Sequence, residues 1–383
     1  MSVLYLGKNY KINFEKEGEE SEIYKTYDAF NNQSQKDICL KVIQKENTDL
    51  EEEIDYDLLL KSIEKEAVIL KQFDSNHIIK VYNIIDNDKY RILEIENYEM
   101  NLFNYMESEP IFEKGEKNVF KKIVIDLVEA LNSLKEKGII HRNIKPKNIY
   151  IFKTSEDFDQ LSEDNFNLKL ANFECAIYTK ELENSKPMGT YMYLAPEIIN
   201  NLKYDEKSDL WSLGITLFEI YFGCLPFGQN SAIEKVRNIL NGKEKFIYRK
   251  SNIPTLDVLF KRLLCINPQE RMSLEELNDF VKNDNFLKEK IIYNNEKYPK
   301  YKYTEIYEEI KKEEQIKYIF KKEEGGKPQY KDEIPTMKDF LERINDSGTI
   351  IHDDIFKEES NYNNIIYFDE INDNSYKKQV YDD

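Results

Sequence analysis

Apolar and polar residues alternate in short runs near the start of the chain. YKINFEKE, EIYKTYD and DICLKVI fall within residues 10–45. A period of two puts successive side chains on opposite faces of an extended backbone, so these runs predict strands of an antiparallel sheet. Over residues 50–73 the apolar positions switch to helical spacing, which predicts one helix. IIKVYNII and YRILEIE then predict two more strands, with DNDK as their turn. The expected N-terminal architecture is five antiparallel strands, with the helix inserted before the fourth.

The pattern changes near Glu96–Asn101. NVFKKIVIDLVEALNSLKEK predicts a long amphipathic helix, with Gly138 as its C-cap. DLWSLGITLFEIYFG is apolar around its whole circumference, as expected of a helix buried in a core. SAIEKVRNILNG, TLDVLFKRLLCI and SLEELNDFVKND predict further helices. The expected fold class is therefore α+β, a β-rich N-terminal part (about 10–97) followed by a mainly helical C-terminal part (about 98–288). A segment 1–9 precedes it, and residues 153–167 read as an acidic loop insertion. Residues 289–383 form a charged, Tyr-rich tail, partly helical, expected to pack on the domain or to bind a partner.

Composition changes the picture in three ways. The chain of 383 residues is 40% hydrophobic and 13% aromatic, enough for a sizeable core. Its net charge of −18 argues against nucleic acid or anionic membranes as main partners. Cys39, Cys175, Cys224 and Cys265 are scattered, without zinc or disulfide spacing, which predicts a reduced, cytoplasmic protein. No apolar run approaches the roughly 18 residues of a membrane span, and no signal peptide is visible.

The candidate chemistry lies in His141–Ile151, HRNIKPKNIYI, between the amphipathic helix and the β-like pair Ile149 and Ile151. This stretch resembles the catalytic loop of the eukaryotic protein kinases, H-R-D-L-K-P-x-N. Other signatures of that family follow in its order. Lys41 in ICLK matches the phosphate-binding lysine, and Glu66 in KEAVIL matches its helical partner. Asn172-Phe173-Glu174 stands at the metal-binding D-F-G position. Ala195-Pro196-Glu197 ends the activation segment. Asp209 lies on the buried helix, and Arg271 in INPQER is the expected partner of Glu197. The resemblance covers about residues 10–288 and implies a bilobal kinase fold, with the N-lobe about 10–97 and the C-lobe about 98–288, of Ser/Thr type from Lys145 in K-P-x-N.

It also implies a damaged catalytic set. Asn143 stands where the family has its catalytic base, and an amide cannot take up a proton. Such a group is typically worth about 10²- to 10⁴-fold in rate. Asn172 replaces the metal-binding Asp, while Asn148 is retained, so both expected metal ligands are neutral amides. Mg²⁺ normally relies on one or two carboxylates. Glu174 is the candidate substitute. The glycine-rich loop reads KEGEESEI over residues 16–23, keeping Gly18 and ending at Ile23, with Glu17, Glu19, Glu20 and Glu22 crowding it. Cys39 and Tyr150 stand where the family surrounds adenine, and Tyr150 has two readings, stacking on the base or filling its pocket. Ile95, Glu96 and Tyr98 complete the implied cofactor-binding set. Val81, Leu70, Phe173 and His141 match the apolar column of active kinases. Tyr178, Thr179, Ser185 and Thr190 are candidate phosphate acceptors, with Arg142 as their partner.

The expected function is therefore a pseudokinase, a scaffold or allosteric regulator that binds protein partners through its C-lobe and tail. ATP binding stays open, and Mg²⁺ binding is expected to be weak or absent. The alternatives are a weakly active Ser/Thr kinase and a structural subunit of a larger, for example cytoskeletal, complex.

Overall fold

The computed structural model describes residues 3–6, 9–20, 24–44, 56–86, 90–108, 117–154, 161–184, 188–199, 204–226, 238, 250–251, 253–283 and 286. The expected helix SAIEKVRNILNG, apart from one residue, and the whole tail lie outside the described residues. The chain divides into two compact units, one taking Met1–Gln72 and Lys80–Tyr98, the other Phe73–Ile79 and the described chain from Glu99 on.

The first unit is a six-stranded antiparallel sheet with one described helix. Its strands are β1 (Val3–Leu6), β2 (Tyr10–Glu20), β3 (Lys25–Asn31), β4 (Lys36–Gln44), β5 (Val81–Asp86) and β6 (Tyr90–Glu96). They lie in the order β1-β2-β3-β4-β6-β5. Helix α1 (Tyr56–Leu70) precedes β5. The sequence gives five strands; the structure adds β1, which pairs with β2 inside the stretch set aside as residues 1–9. VLYL is a short apolar run without alternation, so only its partner reveals it as a strand. β2 also runs on to Glu20, with register shifts at Asn13/Glu17 and Glu17/Glu20. Gly18 therefore sits within a bulged strand, and Ile23 lies outside the described residues.

The second unit carries two small sheets and the remaining helices. β7 (Met100–Asn101), β9 (Ile149–Lys153) and β10 (Phe166–Leu170) form one sheet, and β8 (Ile139–Ile140) pairs with β11 (Ile177–Tyr178). The helices are α2 (Leu102–Ser108), α3 (Lys117–Glu136), α4 (Pro196–Ile199), α5 (Glu206–Phe222), α6 (Pro254–Leu263) and α7 (Leu274–Lys282). α5 is buried from Ser208 to Ile220, as its unbroken apolarity predicts. Asp205 starts it with a capping box. Gly138 ends α3 at φ +61, as expected.

Two boundaries move. The acidic insertion is narrower than 153–167, because Lys153 still belongs to β9 and Phe166 and Asn167 already belong to β10. Phe73–Ile79, placed in the N-lobe by sequence, belongs to the second unit. Ile78 bridges Leu170, Leu170 N donates to His77 O at 2.9 Å, and Ile79 N donates to Leu170 O at 3.0 Å. No described helix is long and apolar enough to cross a membrane.

Candidate active site

The loop His141–Asn148 starts where β8 ends, and α5 holds it from below. The Asp209 carboxylate accepts from His141 N at 2.7 Å and from Arg142 N at 2.8 Å. Those two bonds support Arg142 in a left-handed conformation, φ 65. Burial pushes the Asp209 carboxyl up to about 6, against the pull of these N–H groups. His141 is fully buried, with Nε2 3.0 Å from Ala171 O and Nδ1 3.3 Å from Asn143 N. A carbonyl on one side and an N–H on the other fit only the neutral ring protonated at Nε2. Burial agrees, pushing the imidazole down to about 4. The Phe173 ring meets His141 edge-on at 4.7 Å and Phe73 at 5.8 Å. In the first unit, Leu70 is buried and Val81 pairs with Ile95.

Asn143 is engaged through its carbonyl. Its Oδ1 accepts from Thr190 Oγ1 at 2.9 Å and from Thr190 N at 3.2 Å. Lys145 Nζ donates to the same Thr190 hydroxyl at 2.7 Å. The chain Lys145–Thr190–Asn143 orders the loop against the activation segment but contains no group that can take a proton at neutral pH. Gly189 makes the approach feasible, since its φ is +112 and a Cβ there would lie 2.1 Å from Arg142 O. Thr190 and Tyr178 are buried, which contradicts their reading as phosphate acceptors. Thr179 is exposed, and Ser185 lies outside the described residues.

The residues at the metal positions bond to one another. Asn148 Nδ2 donates to Asn143 O at 2.7 Å. Asn172 Nδ2 donates to Asn148 Oδ1 at 3.0 Å and to the Tyr150 hydroxyl at 3.2 Å. Asn148 and Asn172 are each 4% exposed and Tyr150 1%. Asn172 adopts φ 61, ψ 70, a left-handed conformation that Asn tolerates better than most residues. Tyr150 was placed beside adenine with two readings open; the structure commits its hydroxyl to this amide set. Glu174 is half-buried, and its charge is felt at His141. Among the described residues no cluster of three or more His, Cys, Asp or Glu could hold a metal. A divalent cation here would meet neutral amide oxygens that already accept hydrogen bonds, Asn148 Oδ1 from Asn172 Nδ2 and Asn172 Oδ1 from the Tyr150 hydroxyl at 3.5 Å.

In the first unit the expected ion pair forms: Lys41 Nζ lies 2.9 Å from Glu66 Oε2, both 3% exposed, with Lys41 over the Tyr24 ring at 4.3 Å. Cys39 and Ile95 are buried and paired across β4 and β6. Glu96 accepts from Lys80 N at 3.3 Å, and the Tyr98 hydroxyl lies 3.4 Å from Thr26 Oγ1.

Three features carry the second unit's polar core. Glu197 and Arg271 form a bidentate pair at 2.8 and 2.9 Å, as expected. Arg142 lies 5.3 Å from the Tyr204 ring and donates from Nη2 to Met188 Sδ at 3.3 Å. Tyr204 in turn clamps Met188, accepting from its N–H at 2.8 Å and donating to its carbonyl at 2.6 Å. Sequence reading missed Tyr204 because its partners lie well before it in the chain. Glu219 is the third. It is 1% exposed, accepts from the Tyr193 hydroxyl at 2.6 Å, and burial pushes it up to about 7, with Lys145 and Lys147 pulling it down. A carboxyl raised in the fold stabilises below its ordinary value and loses that contribution as pH rises through 7. Glu219→Gln is therefore expected to be more stable than wild type at pH 8, by up to about 3 kcal/mol, with the gain fading by pH 5. Urea denaturation at the two pH values measures it, and a gain equal at both would refute the assignment.

The family model of the protein kinase domain matches residues 17–281. The chain belongs to the protein kinase family. Several of its relatives are named as serine/threonine-protein kinases. It is 31% identical over 222 residues to serine/threonine-protein kinase ATG1c of Arabidopsis thaliana, covering 57% of this chain and 29% of that protein. It is 29% identical over 241 residues to Aurora kinase C of Mus musculus, covering 63% of this chain and 79% of that protein. A probable serine/threonine-protein kinase of Dictyostelium discoideum is 29% identical over 257 residues, covering 65% of this chain. This kinase-family chain spans about 28% of the Dictyostelium protein's length.

Proposed function

We propose that this protein is a pseudokinase: a Ser/Thr-kinase-like domain impaired in phosphoryl transfer, acting in the cytoplasm as a scaffold or allosteric partner of other proteins. One observation carries the reading. Where kinase chemistry needs a carboxylate base and a carboxylate metal ligand, the chain has Asn143 and Asn172, each already hydrogen-bonded within the second unit. Phosphoryl transfer depends on positioning and on neutralising charge, and the metal supplies much of that neutralisation. Amides supply neither the proton acceptor nor the negative charge that draws Mg²⁺. Lys41, paired with Glu66, remains able to meet a phosphate, so nucleotide binding without metal fits this reading.

The test is phosphate incorporation from MgATP into the chain itself and into generic Ser/Thr substrates. Wild type and Lys41→Met are expected to give the same background. Incorporation that vanishes in Lys41→Met would establish the second reading, a slow Ser/Thr kinase. The intact Lys41–Glu66 pair at 2.9 Å is the observation that favours it. In that case Glu174 is the candidate metal ligand, and Glu174→Gln would abolish the activity.

A further inference from the structure

Strand register in the first unit orders the residues around Lys41. Lys41 on β4 reaches Glu66 on α1, so Lys41 and Cys39, two residues apart, project to the α1 side of the sheet. Directly opposed residues of a strand pair project to the same side. On β3, Asp28 stands opposite Cys39 and Thr26 opposite Lys41. On β6, Ile95 stands opposite Cys39, and the Tyr98 hydroxyl lies 3.4 Å from Thr26 Oγ1. The row runs from Asp28 beside Cys39 to Thr26 beside Lys41. Its next member along the chain is Tyr24, beyond Lys41 on the side away from Cys39.

The Tyr24 side chain turns onto the lysine. Lys41 Nζ lies 4.3 Å from the centroid of the Tyr24 ring, well inside the reach of about 6 Å over which a ring face attracts a cation. The same Nζ lies 2.9 Å from Glu66 Oε2, and both side chains of that pair are 3% exposed. The ammonium is held by a carboxylate and an aromatic face, and almost none of it meets water. The attraction of a ring for a cation is strongest where water is excluded.

A phosphate oxygen that bonds an ammonium approaches it to about 2.7–2.9 Å. Lys41 is too well covered to allow that approach unless a covering group moves. Moving Glu66 would strand a carboxylate that is 2% exposed, a costly change. Tyr24 is the easier group to move. It is half-buried, and it stands just ahead of Lys25, where β3 begins.

We propose that Tyr24 is an aromatic cap on Lys41, which the phosphate of a nucleotide must displace, and that it thereby sets the preference of this site between nucleosides and nucleotides. The inference rests on the reading that Lys41 meets phosphate. Adenosine has the base and sugar of ATP but makes no demand on Lys41, so the cap leaves its binding alone. ATP must break the contact between ring and ammonium. A contact of that kind corresponds to a factor of about two to thirty in affinity.

Calorimetric titration of ATP and of adenosine, both without metal, into the full-length protein tests it. Tyr24→Ala is expected to bind ATP about tenfold more tightly than wild type and to bind adenosine equally well. Tyr24→Phe keeps the ring and is expected to match wild type for both ligands. Tyr24→Leu fills space without an aromatic face and is expected to follow Tyr24→Ala, which keeps the test decisive should the alanine variant fail to fold. An unchanged affinity for ATP, or an equal change for both ligands, would overturn the proposal. Acetylation of the ligand-free proteins, read at each lysine by mass spectrometry, separates the cap from the reading beneath it. Lys41 is expected to react several-fold faster in Tyr24→Ala, with Lys36 and Lys80 unchanged, and an unchanged Lys41 would overturn the cap. Faster reaction at Lys41 with no binding of ATP by any of these proteins would support the cap and overturn the nucleotide reading, and the preference with it.

Discussion

Glu197→Ala is expected to destabilise the second unit by about 3–5 kcal/mol, the cost of stripping one partner from a buried ion pair. The Arg271 side chain is 0% exposed and that of Glu197 4%. Arg271 gives both Nη atoms to the carboxylate, donates from Nε to Cys265 O at 3.1 Å, and lies over Trp211 at 5.2 Å. Glu197 also accepts from Ser208 Oγ at 3.1 Å. Removing the carboxylate leaves a guanidinium out of reach of water and still charged, because no protein environment deprotonates arginine. The comparison is Glu275→Ala, which removes an exposed pair with Lys135; exposed pairs are worth roughly 0–1 kcal/mol. Denaturant unfolding of both variants measures the difference. Equal losses would mean that the Glu197–Arg271 pair does not carry the core.

The second large effect is expected from Asn172→Asp. The wild-type amide donates to Asn148 Oδ1 and to the Tyr150 hydroxyl. A carboxylate has no hydrogen to give, so the substitution sets two oxygens against each other in a site 4% exposed. The cost is about 1–3 kcal/mol in the absence of metal. The same carboxylate is what a hard divalent cation requires. Millimolar Mg²⁺ is therefore expected to recover the lost stability in the variant and to leave wild type unchanged, read as thermal midpoints with and without the metal. A wild-type midpoint that rises with Mg²⁺ as far as the variant's would contradict the amide account.

Much of this was legible in the sequence where the signal is local. Helical spacing located α1 and α3, unbroken apolarity located α5, and the resemblance to kinase motifs paired Lys41 with Glu66 and Glu197 with Arg271. What stayed hidden depends on partners distant in sequence. β1 is a strand only because β2 lies beside it. Phe73–Ile79 joins the second unit through Leu170, about ninety residues away. Tyr150 carried two readings because its hydroxyl partner, Asn172, lies 22 residues on. Thr190 reads as a candidate phosphate acceptor in the sequence and is instead buried between Asn143 and Lys145, which only the folded loop reveals. The neutral state of His141 likewise follows from burial and from the Ala171 carbonyl, thirty residues on, together with the nearby Asn143 N–H.

The most direct test of the central claim is calorimetric titration of ATP into the wild-type chain, with and without Mg²⁺. The account predicts that Mg²⁺ leaves the affinity for ATP unchanged, because Asn148 and Asn172 offer the metal no charge. A tenfold or greater tightening by Mg²⁺, about 1.4 kcal/mol, would contradict it and restore the chain to the metal-dependent kinases.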